Sequence, residues 1–169
     1  MGKRPETDET RLRNRKARED NNVFSRLPAV YAATRTQAHK LLHRAGNLST
    51  VEWRTLWDLY KAGPMTIREL AEIQRADHSL LSRALPDMRD KGFVTMERDR
   101  IDGRQVLVSL APPGRAVYEQ VAPVMKRRRD ALRAEFSPEE ITTFLDYLER
   151  LEKFARRPID TICESEFTE

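Results

Sequence analysis

Cysteine is all but missing. The 169 residues include one, Cys163, so no intrachain disulfide can form and a disulfide-stapled scaffold is excluded. No apolar run approaches the roughly 20 residues of a membrane span. The first residues lack the apolar core of a secretion signal. The expectation is a cytoplasmic chain without a membrane partner. Glycine is scarce, with six residues, and histidine scarcer, with three. There is no glycine-rich phosphate loop, no Gly-x-Ser-x-Gly elbow and no His-Glu-x-x-His pair. His39 and His43 stand four apart on one helix face, but no carboxylate or thiol near them in sequence completes a site, so neither a metal nor a cofactor is expected. Glu164 and Glu166 beside Cys163 deny that thiol the positive surroundings a redox sensor needs. No catalytic constellation emerges, and the reading is of a protein that is not an enzyme.

Charge is abundant. Charged residues make 34% of the chain and hydrophobic ones 39%, with a net charge of +4. This suits a helical protein with a modest core, and the basic balance leans toward nucleic acid. The chain is organised around Asp77 to Arg104. Asp77 can accept the free N–H groups of a first helical turn. Leu81, Ala84, Leu85 and Met88 recur at helical spacing and form one apolar face. Ser79, Ser82, Arg83 and Pro86 lie opposite, with His78 beside them. Gly92 ends the helix in the left-handed manner glycine allows. Phe93–Arg98 reads as a strand and Val106–Leu110 as its antiparallel partner. The tip between them carries Arg100, Asp102, Gly103 and Arg104. A small polar and basic helix face fits a DNA major groove, and a basic hairpin can reach the adjacent minor groove. The alternative is an αββ fragment with an ordinary solvated face.

Other phrases fall in a fixed order around this stretch. They are Leu48–Arg54, Thr66–Glu72, Ser79–Leu85, Lys91–Val94, Asp102-Gly103-Arg104 and Val108–Arg115. Together they resemble the winged helix-turn-helix of the MarR family of bacterial transcription regulators, over roughly residues 24–156. Two departures stand out. Pro86 sits inside the recognition helix, where proline costs about 3 kcal/mol in a regular interior. Gly103 stands where relatives often place a second basic residue. The resemblance implies a mainly α fold with a small β-wing: a winged helix-turn-helix domain plus N- and C-terminal dimerisation helices. It implies a double-stranded, pseudo-palindromic DNA operator and a homodimeric repressor. The expected DNA contacts are Ser79, Ser82 and Arg83 in the major groove, and Arg104 with Arg100 in the minor groove. Asp102 is expected to orient a neighbouring arginine, and Thr66, Arg68 and His78 to touch phosphates.

Around that centre the chain divides by composition. Residues 1–20 are polar, with Arg11, Arg13, Arg15, Lys16 and Arg18. They read as a disordered basic arm, whether or not they also touch phosphates. Residues 21–48 read as a long helix with a heptad-like seam of Phe24, Leu27, Tyr31, Thr34, Ala38, Leu41 and Ala45. That seam suits either an intrachain core or a second subunit. The winged domain is placed at 49–111. Its helices carry the capping-box patterns Ser49/Glu52 and Thr66/Glu69. C-terminal dimerisation helices are expected over 112–157, with Pro123 bending or splitting the first. Lys126–Arg129 reads as a solvated basic face or as a contact to DNA or an acidic partner. Ser137-Pro138-Glu139-Glu140 starts the last helix, which presents Ile141, Phe144, Leu145, Leu148, Leu151 and Ala155. Residues 158–169 read as a flexible acidic tail.

The family resemblance also implies an effector, a small aromatic or phenolic molecule, anionic in many relatives and a carboxylate among the candidates. Tyr31, Arg35, His39 and His43 on the first long helix, with Trp53 and Trp57 on the next, are the candidate lining. Arginine and histidine would hold the anion and the rings would sandwich the aromatic. Packing of the tryptophans in the core is the competing reading. A second functional class stays open as well: a winged-helix protein-interaction module that no longer reads DNA, motivated by Pro86 and Gly103.

Overall fold

A computed structural model describes residues 8–98 and 105–163. Helix α1 spans Asp8–Asp20, α2 Val23–Gly46 and α3 Thr50–Ala62. A short strand β1, Met65–Thr66, leads into α4 (Ile67–Gln74) and α5 (His78–Asp90). Strands β2 (Val94–Arg98) and β3 (Val106–Leu110) follow, then α6 (Pro112–Ala134), α7 (Pro138–Ala155) and α8 (Ile159–Cys163). The chain forms two compact units that divide after Val124.

The first unit is built on α3, α4 and α5 against a three-stranded antiparallel sheet of order β1-β3-β2. Met65 and Met96 both register with Val108, and Val94 with Leu110. Facing residues of antiparallel strands share one side of the sheet, so these five point one way and meet the helices. Leu56 and Leu70 are fully buried with Leu81, Leu85, Met88 and Val108. Each such side chain contributes roughly 1.5–3 kcal/mol. Leu42 at the end of α2 and Val121 in α6 are equally buried. The closing residues of α2 and the opening half of α6 therefore contribute to the first unit's core.

Three local departures from the sequence expectations have physical causes. Residues Asp8–Asp20 form a helix rather than a structureless arm. Arg, Lys and Glu are good helix formers, and Arg15 pairs with Glu19 one turn on at 2.6 Å. Helix α6 is not split at Pro123. The first part of the acidic tail winds into α8. Helix α2 ends at Gly46-Asn47. Asn47 takes the left-handed conformation (φ 53°), whereas a Cβ on Gly46 would lie 2.5 Å from Val121 Cγ2. Gly46 is there to let α6 approach.

In the second unit, Ser137 caps α7 in a full capping box, its Oγ accepting from Glu140 N–H at 3.2 Å. Pro138 occupies the first turn, where its missing N–H is no loss. The helix leaves Phe144, Leu145, Tyr147 and Leu148 exposed. Lys126 forms an ion pair with Asp130 at 2.6 Å, which is how the basic run begins.

Candidate nucleic-acid interface

The candidate interface is built on α4 and α5, joined by a three-residue turn. Helix α4 begins with a capping box at Thr66. The Thr66 hydroxyl accepts from Glu69 N–H at 3.2 Å and donates to Glu69 Oε2 at 2.9 Å. Thr66 is buried, so its hydroxyl serves the fold. The expected phosphate contact from it does not fit this placement. Arg75 closes α4 in the left-handed region at φ 48°. Arg54 of α3 donates to the Gln74 carbonyl at 2.7 Å, and Gln74 Nε2 donates to Thr55 at 3.4 Å. Sequence periodicity gave no sign of Arg54 or Gln74, because both act across helices 20 residues apart.

Asp77 caps α5, its carboxylate accepting from Ser79 N–H at 2.9 Å. That bond holds its pKa below the ordinary aspartate value, so the cap stays charged in mild acid. The inner face of α5 is wholly buried through Leu81, Leu85 and Met88. The outer face is fixed by that burial. Ser79 and Arg83 are exposed on it, as are Asp87 and Asp90. Arg83 Nε donates to the Ser79 carbonyl at 3.1 Å, and Ser82 Oγ hydrogen bonds His78 Nδ1 at 3.2 Å. The four expected residues of α5 thus lie together in its first two turns, and Arg68 stands exposed on α4. Pro86 does not end the helix, which continues to Asp90. Positive and hydroxyl groups occupy the first half of the outer face, and the second half carries Asp87 and an Arg89–Asp90 ion pair at 2.8 Å. A phosphate backbone is therefore received best at the N-terminal half, where the free N–H groups and the helix dipole also favour anions.

The exit from α5 is tied down from two sides. Lys91 donates to buried Glu52 at 2.6 Å, and Gly92 turns the chain at φ 71°. A Cβ on Gly114 would fall 2.0 Å from the Phe93 carbonyl oxygen, so the start of α6 rests directly on the first residue of the wing. The wing residues Arg100, Asp102 and Arg104, with Gly103, lie outside the described residues.

The candidate effector residues separate into two kinds. Tyr31, Arg35, His39 and His43 are exposed along α2. Trp53 is buried in an aromatic column. It stacks on Tyr118 at 5.3 Å, and Tyr118 on Tyr60 at 4.2 Å, with Arg115 over Tyr60 at 4.9 Å. Trp57 is half-buried, 6.1 Å from Trp53. Trp53 is thus packed against α6, and Trp57 is the more exposed of the two tryptophans.

Comparison with known proteins identifies the fold and the family. The sequence model of the MarR family matches residues 48–106, from the start of α3 to the opening of β3. The HTH-type transcriptional regulator YxaD of Bacillus subtilis is 29% identical over 110 residues, 65% of this chain and 77% of that one. Two crystal structures share the fold. The PcaV regulator of Streptomyces coelicolor, solved with its natural ligand, has a TM-score of 0.63 at 23% identity, covering 76% of this chain and 94% of that one. A mutant of MarR from E. coli, solved with operator DNA, has a TM-score of 0.62 at 22% identity, covering 77% of this chain and 98% of that one.

Proposed function

The chain belongs to the MarR family of DNA-binding transcriptional regulators, and from that premise we propose that it is a homodimeric repressor released by a small aromatic or phenolic ligand. The observation that carries the DNA contact is the outer face of α5, where His78, Ser79, Ser82 and Arg83 crowd the first two turns. We assign Ser79, Ser82 and Arg83 to base edges, and His78 and Arg68 to phosphates. Arg100, Asp102 and Arg104 are assigned to the minor groove on the family resemblance. Arg83 is the principal base reader, because a guanidinium can present two donors to one guanine. The fold shared with a regulator solved on operator DNA supports this reading. Helix α5 continues past Pro86 to Asp90, which is compatible with its use as a recognition helix.

Dimerisation rests on apolar surface in each unit. Phe24 at 64% exposure heads a row on α2 with Leu27, Val30 and Tyr31, and Phe144 at 56% heads another on α7. Rows of this kind on a monomer mark an interface, and a second copy would cover them. Two copies also read two half-sites about one helical turn apart. The effector is assigned to the exposed α2 residues Tyr31, Arg35, His39 and His43 together with Trp57. Support comes from the fold shared with a regulator solved with its natural ligand.

Arg83→Ala is the direct test. Against duplexes selected for binding from a random pool, the variant should lose about 1–3 kcal/mol and relax its choice at one base pair per half-site. Undiminished, equally selective binding would remove Arg83 from the role.

A further inference from the structure

Leu80 is 41% exposed, although Leu81, Leu85 and Met88 on the same helix are entirely buried. It stands in the first turn of α5, its N–H donating to the Asp77 carbonyl at 3.0 Å. Ser79 precedes it, and Arg83 lies one turn along on the same flank of the helix, the spacing at which helical side chains become neighbours. A lone exposed leucine elsewhere on a surface needs no explanation. This one sits among the groups already assigned to base edges, on the half of the outer face that receives DNA. On the other half Asp87 is exposed beside an Arg89–Asp90 ion pair at 2.8 Å, so the net positive charge of the outer face lies toward the N-terminal turns.

The major-groove edges of the four base pairs offer hydrogen-bond donors, acceptors and one apolar group, the thymine C5-methyl. We propose that Leu80 is a specificity-determining residue that packs on a thymine methyl in each half-site, beside the base read by Arg83. The inference rests on the DNA-binding reading of α5 and deepens it by naming what the apolar member of the face recognises. Serines and arginine at this surface select by hydrogen bonding. Leu80 adds a preference for thymine over cytosine, which lacks the methyl.

Replacing thymine by deoxyuridine removes only that methyl, which makes the test specific. A duplex selected for tight binding is remade with one dT→dU change at a time, and affinity is measured by fluorescence anisotropy for the wild type and Leu80→Ala. At one thymine per half-site the wild type should lose roughly fourfold, the equivalent of one methyl group left in water. Leu80→Ala should bind the parent duplex more weakly and show no further loss at that thymine. Its salt dependence should match the wild type, because no phosphate contact is removed. Wild-type indifference to every dU, or an unchanged response in Leu80→Ala, overturns the proposal while leaving DNA binding intact. Failure to select any duplex overturns the DNA-binding reading, and this assignment with it. Circular dichroism of Leu80→Ala should keep the wild-type helical spectrum, which separates a lost base contact from a lost fold.

Discussion

Replacing Lys91 with methionine keeps the aliphatic stem and deletes one charge. The Glu52 carboxylate then loses its 2.6 Å partner at Oε1, while Oε2 still accepts from Ser49 N–H at 2.7 Å. The Glu52 side chain is 8% exposed and that of Lys91 52%. Removing one partner of a fully buried pair costs about 3–5 kcal/mol, and an exposed pair is worth at most about 1. The half-open lysine and the surviving hydrogen bond place this pair between the two, at about 1–2 kcal/mol. Urea unfolding at pH 7 should show that loss. The melting temperature should fall by roughly 2–8 °C, from about 2–4 °C per kcal/mol at this chain length. Acidity gives a second signature. Burial alone would push Glu52 up, but the bonds from Lys91 and Ser49 outweigh it and hold the pKa below the usual glutamate value. A carboxylate depressed in the folded state stabilises above its unfolded pKa, and that stability fades as pH falls through the folded value. The gap between wild type and Lys91→Met should therefore be full at neutral pH and close in acid. A Glu52→Gln, Lys91→Met cycle should return about 1–2 kcal/mol of coupling. A Lys91→Met variant within about 0.5 kcal/mol of wild type, as for an ordinary surface change, would refute the reasoning. So would a gap that acid leaves unchanged.

Two further predictions concern packing and burial. Gly114→Ala places a Cβ 2.0 Å from the Phe93 carbonyl oxygen and 2.8 Å from its carbon. Backbone cannot yield as a side chain can, so thermal unfolding should show a loss at or above the roughly 1–3 kcal/mol typical of overpacking. Gly46→Ala meets only the Val121 and Val117 side chains and that of Leu48 at the edge of contact, and should lose less. Asp58 is pushed above the ordinary aspartate value by burial, with the Gln74 hydrogen bond and the Arg54 charge offsetting part of it. Folding thus favours its protonated form, and the associated stability is lost as pH rises through the raised pKa. Asp58→Asn should match or exceed wild-type stability at pH 7 in urea unfolding, with the advantage shrinking in acid. A clear loss at pH 7 would contradict this.

What the sequence revealed was local. Ser49, Thr66, Asp77 and Ser137 all cap the helices that their residue types suggest, three of them with the acid three places on, because capping is decided within one turn. Strand β3 and the inner face of α5 were readable from spacing alone. What escaped was set by residues distant in the chain. Strand β1 has two residues, too few to show alternation, and exists because β3 offers it an edge. Thr66 looked like a phosphate ligand until Glu69 engaged its hydroxyl. Trp53 looked like a ligand wall, but Tyr118 in α6 covers it. Gly46 and Gly114 serve close approach between elements, which no local pattern records. Helix α1 formed without apolar periodicity, from propensity and an i,i+4 ion pair.

Sequence-specific DNA binding by a dimer is tested most directly by fluorescence anisotropy on the duplex upstream of the protein's own gene, across a salt series, with a scrambled duplex beside it. Tight binding to the first, much weaker binding to the second and a steep loss with rising salt are predicted. Equal binding to both duplexes would mean that α5 reads no bases there, and no binding at any salt would contradict its place in a DNA groove.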